Sequence, residues 1–327
     1  LPHRYDRGDG AYRLAMVETS VEVAADALRA WPAAARNVLR PYWELPRAPA
    51  RWAGSLAAFD EIWAPTRFIA EAFAPIFSGP VEIVPPTLTL PEPSPRARAS
   101  FGLPDDALVV LFTFDYFSYP ARKNPLATLA AFLAAFPPGD ARAVLVVKSV
   151  GPCHHHPDIF LPLRAAARRD PRIRIIDGWL TRPDALALLK ACDVYLSLHR
   201  AEGFGLGMAE AMWFGRTVVA TGWSGNADFV TQETGFPVAW RLRPVEPGEY
   251  PLHEGQVWAE PDLDDAARAL REVAADPAGA RLRAERGQAL TRALYDGAAT
   301  GRALAQRFAA AGLPVPLAGA GHSSGGD

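Results

Sequence analysis

The sequence contains little cysteine and no long apolar run. Its 327 residues include two cysteines, Cys153 and Cys192, which suits a reducing compartment better than a disulfide framework. No stretch of about 20 apolar residues occurs, so we expect no transmembrane helix. The first residues carry no signal-peptide pattern. We therefore expect a cytoplasmic protein, and a peripheral contact with the inner face of the membrane stays open.

An excess of positive charge is absent as well. The formal net charge is −2 and the isoelectric point is about 6.4. Proteins that bind nucleic acid through a broad surface are usually basic, so no nucleic-acid partner is expected. Any site for an anion must then be local.

The length and one proline-rich segment indicate two domains. A chain of 327 residues, half of them apolar, suits two α/β domains. Five prolines fall between residues 85 and 95 and predict a stiff connection. The expected division is an N-terminal domain over 1–90, a linker over 91–100, a C-terminal domain over 101–300, and a last helix with a disordered tail over 301–327.

From residue 101 onward, apolar runs alternate with helical patterns. This alternation predicts a parallel sheet covered on both faces, with ligands at the carboxyl ends of the strands. The predicted strands span 107–115, 143–149, 173–176, 194–198 and 217–220. The predicted helices span 124–136, 158–168, 183–190, 206–214, 263–274, 280–295 and 301–311.

The part before the linker is less regular. Mixed three- and four-residue spacing predicts a helix over 17–39 with a break at Pro32. Residues 40–52 combine prolines with Tyr42, Trp43 and Trp52, which predicts an ordered loop packed on a core. Short strands are expected at 59–64 and 81–84, with a helix over 67–77 capped by Thr66 between them.

One stretch combines features that suit a phosphate site. A predicted strand ends at Leu198, a loop follows, and a helix begins at Leu206. Gly203, Gly205 and Gly207 let the backbone approach a ligand closely. The first N–H groups of a helix lack partners inside the helix and carry a positive dipole end, so they attract anions.

Two carboxylates frame this loop. Glu202 lies in the loop, and Glu210 follows about one turn into the helix. Carboxylates repel phosphate oxygens, so their natural partners beside a phosphate are hydroxyl groups, as on ribose and sugar rings. The combination predicts a sugar nucleotide as ligand.

The segment EGFGLGMAEAMWFGRTVVAT, which begins at Glu202, resembles the glutamate-pair motif of retaining glycosyltransferases of the GT-B fold, particularly family 4, the glycosyl transferases group 1. The segments YWELPR and DEIWAPTRF resemble the first domain of such enzymes. The resemblance implies two Rossmann-like domains with parallel sheets that face each other across a cleft. Because only about 90 residues precede the linker, we expect the N-terminal domain to be incomplete.

The resemblance also implies an activity. The expected reaction is metal-independent, retaining hexosyl transfer from a nucleotide-diphosphate sugar to a glycan, a lipid-linked acceptor or a small molecule, as in polysaccharide biosynthesis. The donor is a substrate, and no cofactor is expected. In the family the last helix returns to the first domain.

Individual residues take roles by the same resemblance. Glu202 and Lys123 are the expected catalytic residues, and Glu210 is expected to hold the ribose hydroxyls. The family's partner arginine is absent, because Phe114 and Asp115 stand in its place. Arg122 or Lys148 is expected to supply the second positive charge. The other expected donor contacts are Gly203, Phe204, Gly205, Leu206, Trp179 and Asn226.

Structural roles for these residues remain open beside the functional ones. The three cations are also consistent with ordinary surface residues, Trp179 with packing, and Asn226 with a helix cap. His199 is expected to be a structural hydrogen-bonding residue. The run from Cys153 to His156 is a poor metal site because adjacent side chains diverge, so no metal is expected. Alternative functions are a nucleotide-sugar-binding module without turnover, or another GT-B activity such as sugar-nucleotide epimerisation.

Overall fold

The computed structural model describes residues 14–30, 34 and 36–310, which form two parallel sheets with helices between the strands and one antiparallel hairpin. The predicted break at Pro32 and the predicted disordered tail lie outside these residues.

The first parallel sheet has four strands. Its elements are β1 (Ala15–Thr19), α1 (Val21–Arg29), β2 (Asn37–Pro41), α2 (Ala53–Leu56), β3 (Glu61–Ala64), α3 (Arg67–Phe73) and β4 (Val81–Ile83). The strands lie in the order β1-β2-β3-β4, and all neighbours are parallel. The strands expected at 59–64 and 81–84 are confirmed. The helix between them ends at Phe73, short of the predicted end at 77.

The predicted helix over 17–39 is wrong at both ends. Only Val21–Arg29 is helical, and β1 pairs with β2 in a register that sets Val17 opposite Leu39. The buried positions of α1 keep helical spacing, whereas β2 buries the consecutive residues Val38 and Leu39. Short apolar runs look alike in a buried strand and in a helix, so pairing between distant segments decides the outcome.

The loop after β2 packs on the core of this sheet, as predicted. Trp43 and Trp52 are buried, and their rings meet edge to face with centroids 4.9 Å apart. Tyr42 differs from the expectation because its side chain is 57% exposed.

The second parallel sheet follows the predicted alternation. Its elements are β5 (Leu108–Asp115), α4 (Pro120–Lys123), α5 (Pro125–Ala135), β6 (Ala143–Val150), α6 (Pro157–Arg169), β7 (Ile173–Asp177), α7 (Arg182–Ala191), β8 (Val194–Ser197), α8 (Leu206–Trp213), β9 (Thr217–Thr221) and β10 (Phe236–Val238). The strand order is β10-β9-β8-β5-β6-β7. The order reverses at β5, which has β6 on one side and β8 on the other. Such a switch point opens a crevice at the carboxyl ends of the strands.

A hairpin that the sequence did not predict comes next. It consists of β11 (Trp240–Pro244) and β12 (Val257–Pro261), which pair antiparallel. Trp258 of β12 is fully buried in the core of the first sheet, beside Trp43 and Trp52. Residues of β11 are mostly exposed, so this strand shows no alternating pattern to recognise.

Three helices complete the described chain: α9 (Leu263–Ala275), α10 (Pro277–Tyr295) and α11 (Gly297–Ala310). Helix α11 lies against the first sheet. The ring of Phe308 is 6.0 Å from that of Trp63, and Arg307 forms a 3.2 Å ion pair with Glu82. None of the helices within the described ranges combines the length and apolar character needed to span a bilayer.

The two sheets meet at the loop before α8. Thr66 caps α3 as predicted, since its hydroxyl oxygen accepts a 3.3 Å hydrogen bond from the N–H of Ile69. The same hydroxyl donates a 2.8 Å bond to the carbonyl oxygen of Gly203. Thus one side chain both begins a helix of the first sheet and fixes the glycine loop of the second.

Candidate active site

The glycine loop connects β8 to α8 and brings the helix N-terminus to the edge of the second sheet. Gly205 precedes the helix with a φ of +92°, a backbone conformation that favours glycine. A Cβ atom on Gly207 would fall on the hydroxyl of Tyr195. Tyr195 is buried in β8 and hydrogen bonds with Thr113 at 2.7 Å. These glycines therefore let α8 begin directly against the strands.

A cavity of about 390 Å³ lies in front of this helix, at the carboxyl ends of β5, β6 and β8. Of the eleven residues that the sequence predicts for the site, seven line the cavity: Lys123, Lys148, Trp179, Glu202, Gly205, Leu206 and Glu210. The helix N-terminus faces the same space, and its first N–H groups have no partner within the helix. The cavity thus joins a helix N-terminus to two carboxylates.

Glu202 is charged and held by two cations. Its Oε1 lies 2.5 Å from Nζ of Lys123 and 3.1 Å from Nη1 of Arg122, and only 12% of its side chain is exposed. Burial alone would raise the pKa of Glu202, but the charges of Lys123 and Arg122 outweigh burial and lower this pKa to about 2. Glu202 is therefore a carboxylate at neutral pH, able to accept hydrogen bonds but not to donate a proton.

Arg122 does not line this cavity, so its contact with a donor stays a prediction. Its guanidinium is buried, donates a 2.9 Å hydrogen bond to the carbonyl of Ala201, and lies 4.0 Å from Glu44. Burial disfavours its charge, but Glu202 and Glu44 outweigh burial and raise the pKa of Arg122. Arg122 thus holds the glycine loop and Glu202 in position from the protein interior.

The local backbone explains why adjacent cations face different ways. Helix α4 is a single turn bounded by Tyr119 and Asn124, which have φ angles of 54° and 55°. Tyr119 precedes α4, and Asn124 separates α4 from α5. Successive residues of a helical turn are rotated by about 100°, so Arg122 points into the protein while Lys123 points into the cavity. Asn124 precedes α5 as predicted, but its side chain makes no capping hydrogen bond.

Glu210 has a partner that the sequence reasoning missed. Its side chain is 7% exposed and forms an ion pair with both terminal nitrogens of Arg182, one of them 3.2 Å from Oε2. Arg182 lines the cavity at the first position of α7 and is 47% exposed. A cation at the N-terminus of a helix is unfavourable because it opposes the helix dipole. The position of Arg182 in the sequence therefore indicated a negatively charged partner nearby.

Lys148 and Trp179 occupy the far end of the cavity. Nζ of Lys148 donates to the carbonyl oxygens of Ser149 at 2.7 Å and Gly178 at 2.5 Å. Burial lowers the pKa of Lys148, although Asp177 opposes the shift. The indole of Trp179 follows at the rim and is 81% exposed. Lys148 thus ties two strand ends together beneath an accessible aromatic surface.

Asn226 lies outside the cavity and is fully buried, so its contact with a donor sugar stays a prediction. Its amide donates to the carbonyl of Thr221 at 2.9 Å, and its Oδ1 lies 2.9 Å from Nε2 of His199. Nδ1 of His199 is 2.9 Å from the hydroxyl of Ser197. Burial lowers the pKa of His199. Both side chains therefore hold the loops, as the structural interpretation of His199 expects.

Gly203 and Phe204 also lie outside this cavity and line a second one of about 340 Å³. A Cβ on Gly203 would come within 2.7 Å of the carbonyl oxygen of Trp43. The ring of Phe204 packs 5.2 Å from that of Tyr295. The second cavity opens toward the carboxyl ends of the first sheet and shares Glu202, Gly205 and Leu206 with the first. The two cavities therefore meet at Glu202.

No metal cluster is found in the part of the chain that the structure describes, since no three His, Cys, Asp or Glu side chains there could hold an ion. The segment Cys153–His155 forms a single 3₁₀ turn. The positive charges that face the first cavity therefore come from lysine and arginine side chains and from the helix N-terminus. This arrangement can bind a phosphate group joined to hydroxyl-bearing rings.

Comparison with known proteins agrees with this geometry. Residues 119–245, which include Lys123, both glutamates and the glycine loop, match the family described as Glycosyl transferases group 1. No curated protein sequence gives a significant match.

Solved structures resemble the chain in fold. Sucrose-phosphate synthase from Thermosynechococcus elongatus has a TM-score of 0.68 at 20% identity over 91% of this chain and 74% of its own. HepE of Anabaena, solved with UDP and glucose, has a TM-score of 0.65 at 18% identity over 89% and 75%. A glycosyltransferase from Rickettsia africae has 0.65 at 14% over 90% and 76%. The fold is thus the GT-B α/β fold, and residues 119–245 are similar to the family described as Glycosyl transferases group 1.

Proposed function

We propose that the protein is a retaining, metal-independent glycosyltransferase of family 4 that moves a sugar from a nucleotide-diphosphate sugar to an acceptor hydroxyl. One observation carries the proposal: an ionised glutamate, Glu202, lies where two cavities meet, with a cation and a helix N-terminus beside it. The matched family and the UDP and glucose bound in HepE support a sugar donor.

The first cavity takes the donor in this proposal. The diphosphate lies between Lys123 and the N-terminus of α8, which supply positive charge without a metal. Glu210 accepts hydrogen bonds from the ribose hydroxyls, with Arg182 moving aside or bridging to phosphate. The exposed ring of Trp179 stacks on the nucleobase.

The transfer step then follows from the charges. The oxygen of the acceptor hydroxyl forms a bond to the anomeric carbon from the face of the leaving group. The bond from that carbon to the diphosphate oxygen breaks, its electron pair stays on the diphosphate, and the hydroxyl proton passes to this oxygen. Lys123 and the helix N-terminus stabilise the developing negative charge.

Glu202 orients the transferred sugar. Because the pKa of Glu202 is about 2, it accepts a hydrogen bond from a sugar hydroxyl rather than acting as an acid. The two-carboxylate scheme of glycoside hydrolases, in which one carboxyl group donates a proton, is therefore not used.

The remaining organisation is part of the same proposal. Residues 1–90 form the acceptor domain, 91–100 the linker and 101–300 the donor domain, and the last helix crosses back. The protein acts in the cytoplasm, free or at the inner face of the membrane, on a glycan, lipid-linked or small-molecule acceptor in polysaccharide biosynthesis.

A transfer assay tests the activity. The purified chain is incubated with UDP-, GDP- and ADP-sugars and a mixed acceptor library, and both nucleotide release and product mass are recorded. We expect acceptor-dependent release with one donor and retained anomeric configuration. Glu202→Gln should bind the nucleotide as the wild type does but lose at least about 100-fold in turnover, as for a removed transition-state contact.

Other outcomes of this assay would reject the proposal. Binding without any product would instead indicate a nucleotide-sugar-binding module. Conversion of the donor to an isomer without transfer would indicate an epimerase. Normal turnover of Glu202→Gln would remove the role of this glutamate.

A further inference from the structure

The first cavity carries as many carboxylates as cationic side chains among the residues that the structure describes. Its cationic side chains are Lys123, Lys148 and Arg182, and its carboxylates are Asp115, Glu202 and Glu210. A nucleotide diphosphate is an anion, and side chains whose charges cancel attract it only weakly. The side chains can therefore favour this ligand only if a cation exchanges its carboxylate for a phosphate.

The second positive charge of the site has no obvious source among the residues that the sequence suggests. Lys123 is already assigned to the diphosphate, and the expected second cation is Arg122 or Lys148. Arg122 does not line the cavity, and Nζ of Lys148 donates to two backbone carbonyl oxygens. Arg182 is the remaining cation that lines the cavity in the described part of the chain.

The ion pair between Arg182 and Glu210 is unequal in its exposure to water. Both terminal nitrogens of Arg182 contact the Glu210 carboxylate, and one of them lies 3.2 Å from Oε2. The Arg182 side chain is 47% exposed, whereas that of Glu210 is 7% exposed. A half-exposed guanidinium can leave for water or another anion, but a buried carboxylate needs a donor in its place. Ribose hydroxyls are such donors, so a ribose can replace Arg182 at Glu210.

The position of Arg182 favours a new anionic partner once the guanidinium leaves Glu210. Arg182 is the first residue of α7, where the helix dipole disfavours a cation without a compensating negative charge. Asp184, the acidic residue of the same turn, accepts a 2.6 Å hydrogen bond from Ser94 and lies 3.6 Å from Arg96. Asp184 is therefore occupied elsewhere, and a phosphate in the cavity can supply the negative charge.

We propose that Arg182 is the second cation of the diphosphate site and that donor binding transfers its guanidinium from Glu210 to a phosphate. The inference rests on the proposed transferase function. In the free protein the guanidinium occupies the carboxylate that the ribose needs. When the ribose hydroxyls bind Glu210, Arg182 donates two parallel hydrogen bonds to phosphate oxygens, a geometry that suits the guanidinium group. Arg182 then stabilises the leaving diphosphate during transfer.

Arg182→Met tests this exchange, because a nucleoside and its diphosphate should respond in opposite directions. UDP and GDP are titrated calorimetrically into the wild type and the variant, and uridine and guanosine are measured by displacement. For the nucleotide that the wild type binds, we expect the affinity to fall at least about 10-fold, because a charge-assisted phosphate contact is lost. The nucleoside of the same base should bind about 3-fold more tightly, because it no longer displaces a partly exposed ion pair.

Three further variants show whether the effect comes from the phosphate contact. Arg182→Lys keeps the charge without the planar fork, so it should recover part of the diphosphate affinity. Arg182→Met combined with Glu210→Gln leaves no unpaired buried carboxylate, so this protein should fold even where the single variant does not. It should bind the diphosphate at least about 10-fold more weakly than Glu210→Gln alone. Arg281→Met, at a side chain that is 80% exposed outside the cavity, should bind both ligands as the wild type does.

The outcomes separate this inference from the proposed function. If Arg182→Met weakened the nucleoside and the diphosphate equally, Arg182 would contact the base or the ribose instead of a phosphate. If the diphosphate affinity stayed unchanged, the ion pair would have a structural role alone. Either result would overturn the inference while the transferase proposal stands. Absence of nucleotide binding by the wild-type protein would instead reject the transferase proposal, and this inference with it.

Discussion

Replacement of Arg122 by methionine tests whether this arginine supports Glu202 or binds the donor. The buried guanidinium lies 3.1 Å from Glu202 and donates a 2.9 Å bond to the carbonyl of Ala201. Removing one partner of a buried ion pair leaves a buried charge without compensation and typically costs 3–5 kcal/mol. Because Lys123 remains beside Glu202, we expect Arg122→Met to lower the free energy of unfolding by about 3 kcal/mol.

Lys123→Met should lose less stability than Arg122→Met but more nucleotide affinity. The Lys123 side chain is 20% exposed, so water can replace part of its contact with Glu202. We expect a loss of about 1.5 kcal/mol in stability, the lower end for a hydrogen bond to a charged group. Nucleotide affinity, however, should fall at least about 10-fold, because a charge-assisted contact to phosphate is lost. Arg122→Met should bind nucleotide within about 3-fold of the wild type, since Arg122 does not line the cavity.

Both quantities are measurable on the same samples. Urea unfolding followed by tryptophan fluorescence gives the free energy of unfolding, and calorimetric titration with UDP and GDP gives affinity. Arg281→Met is the matched control, because its side chain is 80% exposed and the change should stay within about 0.5 kcal/mol. An Arg122→Met protein of normal stability that binds nucleotide poorly would refute the reasoning.

The remaining predictions concern other parts of the site. Trp179→Ala should leave stability within about 0.5 kcal/mol but weaken nucleotide binding about 10-fold in a titration, because the exposed ring stacks on the base; undiminished affinity would contradict that contact. Gly207→Ala should lower the unfolding free energy by about 1–3 kcal/mol, because the methyl group meets Tyr195, and Tyr195→Phe should recover part of the loss; normal stability of Gly207→Ala would contradict the close packing. The folded pKa of Glu202, about 2, lies below its usual 4.5, so its contribution to stability is present above pH 4.5 and is lost as pH falls toward 2. From about pH 6 to pH 3 the wild type should therefore lose about 2 kcal/mol more than Glu202→Gln in urea unfolding, and equal losses would contradict the shift.

Local sequence patterns were sufficient to predict five of the six strands of the second sheet, and only the three-residue edge strand β10 was missed. Each of its predicted strands and helices occurs close to the expected limits, because each carries its own apolar period and its own turn residues. The first sheet was harder, since β1 and β2 become strands only by pairing with each other. The hairpin of β11 and β12 depends on the burial of Trp258 beside a core more than 180 residues away in sequence, which no local pattern carries.

The grouping of the candidate residues was predictable in part from residue type. The glycine loop and its two glutamates were predicted to lie together because phosphate and hydroxyl groups need those residue types, and Glu202, Gly205 and Glu210 do line one cavity. Side-chain direction was not predictable. Arg122 and Lys123 are adjacent and chemically alike, yet Arg122 is buried against Glu202 while Lys123 lines the cavity. Arg182 was missed because its partner, Glu210, lies on a different helix.

The measurement that tests the central claim most directly is calorimetric titration of the wild-type chain and of Glu210→Ala with UDP and GDP. The account predicts that the wild type binds one of these nucleotides and that the variant binds it at least about 10-fold more weakly, because the ribose hydroxyls lose their acceptor. Glu233→Ala, an exposed glutamate outside the cavity, should bind as the wild type does. Binding of neither nucleotide, or equal affinity in Glu210→Ala, would contradict the assignment of the first cavity as the donor site.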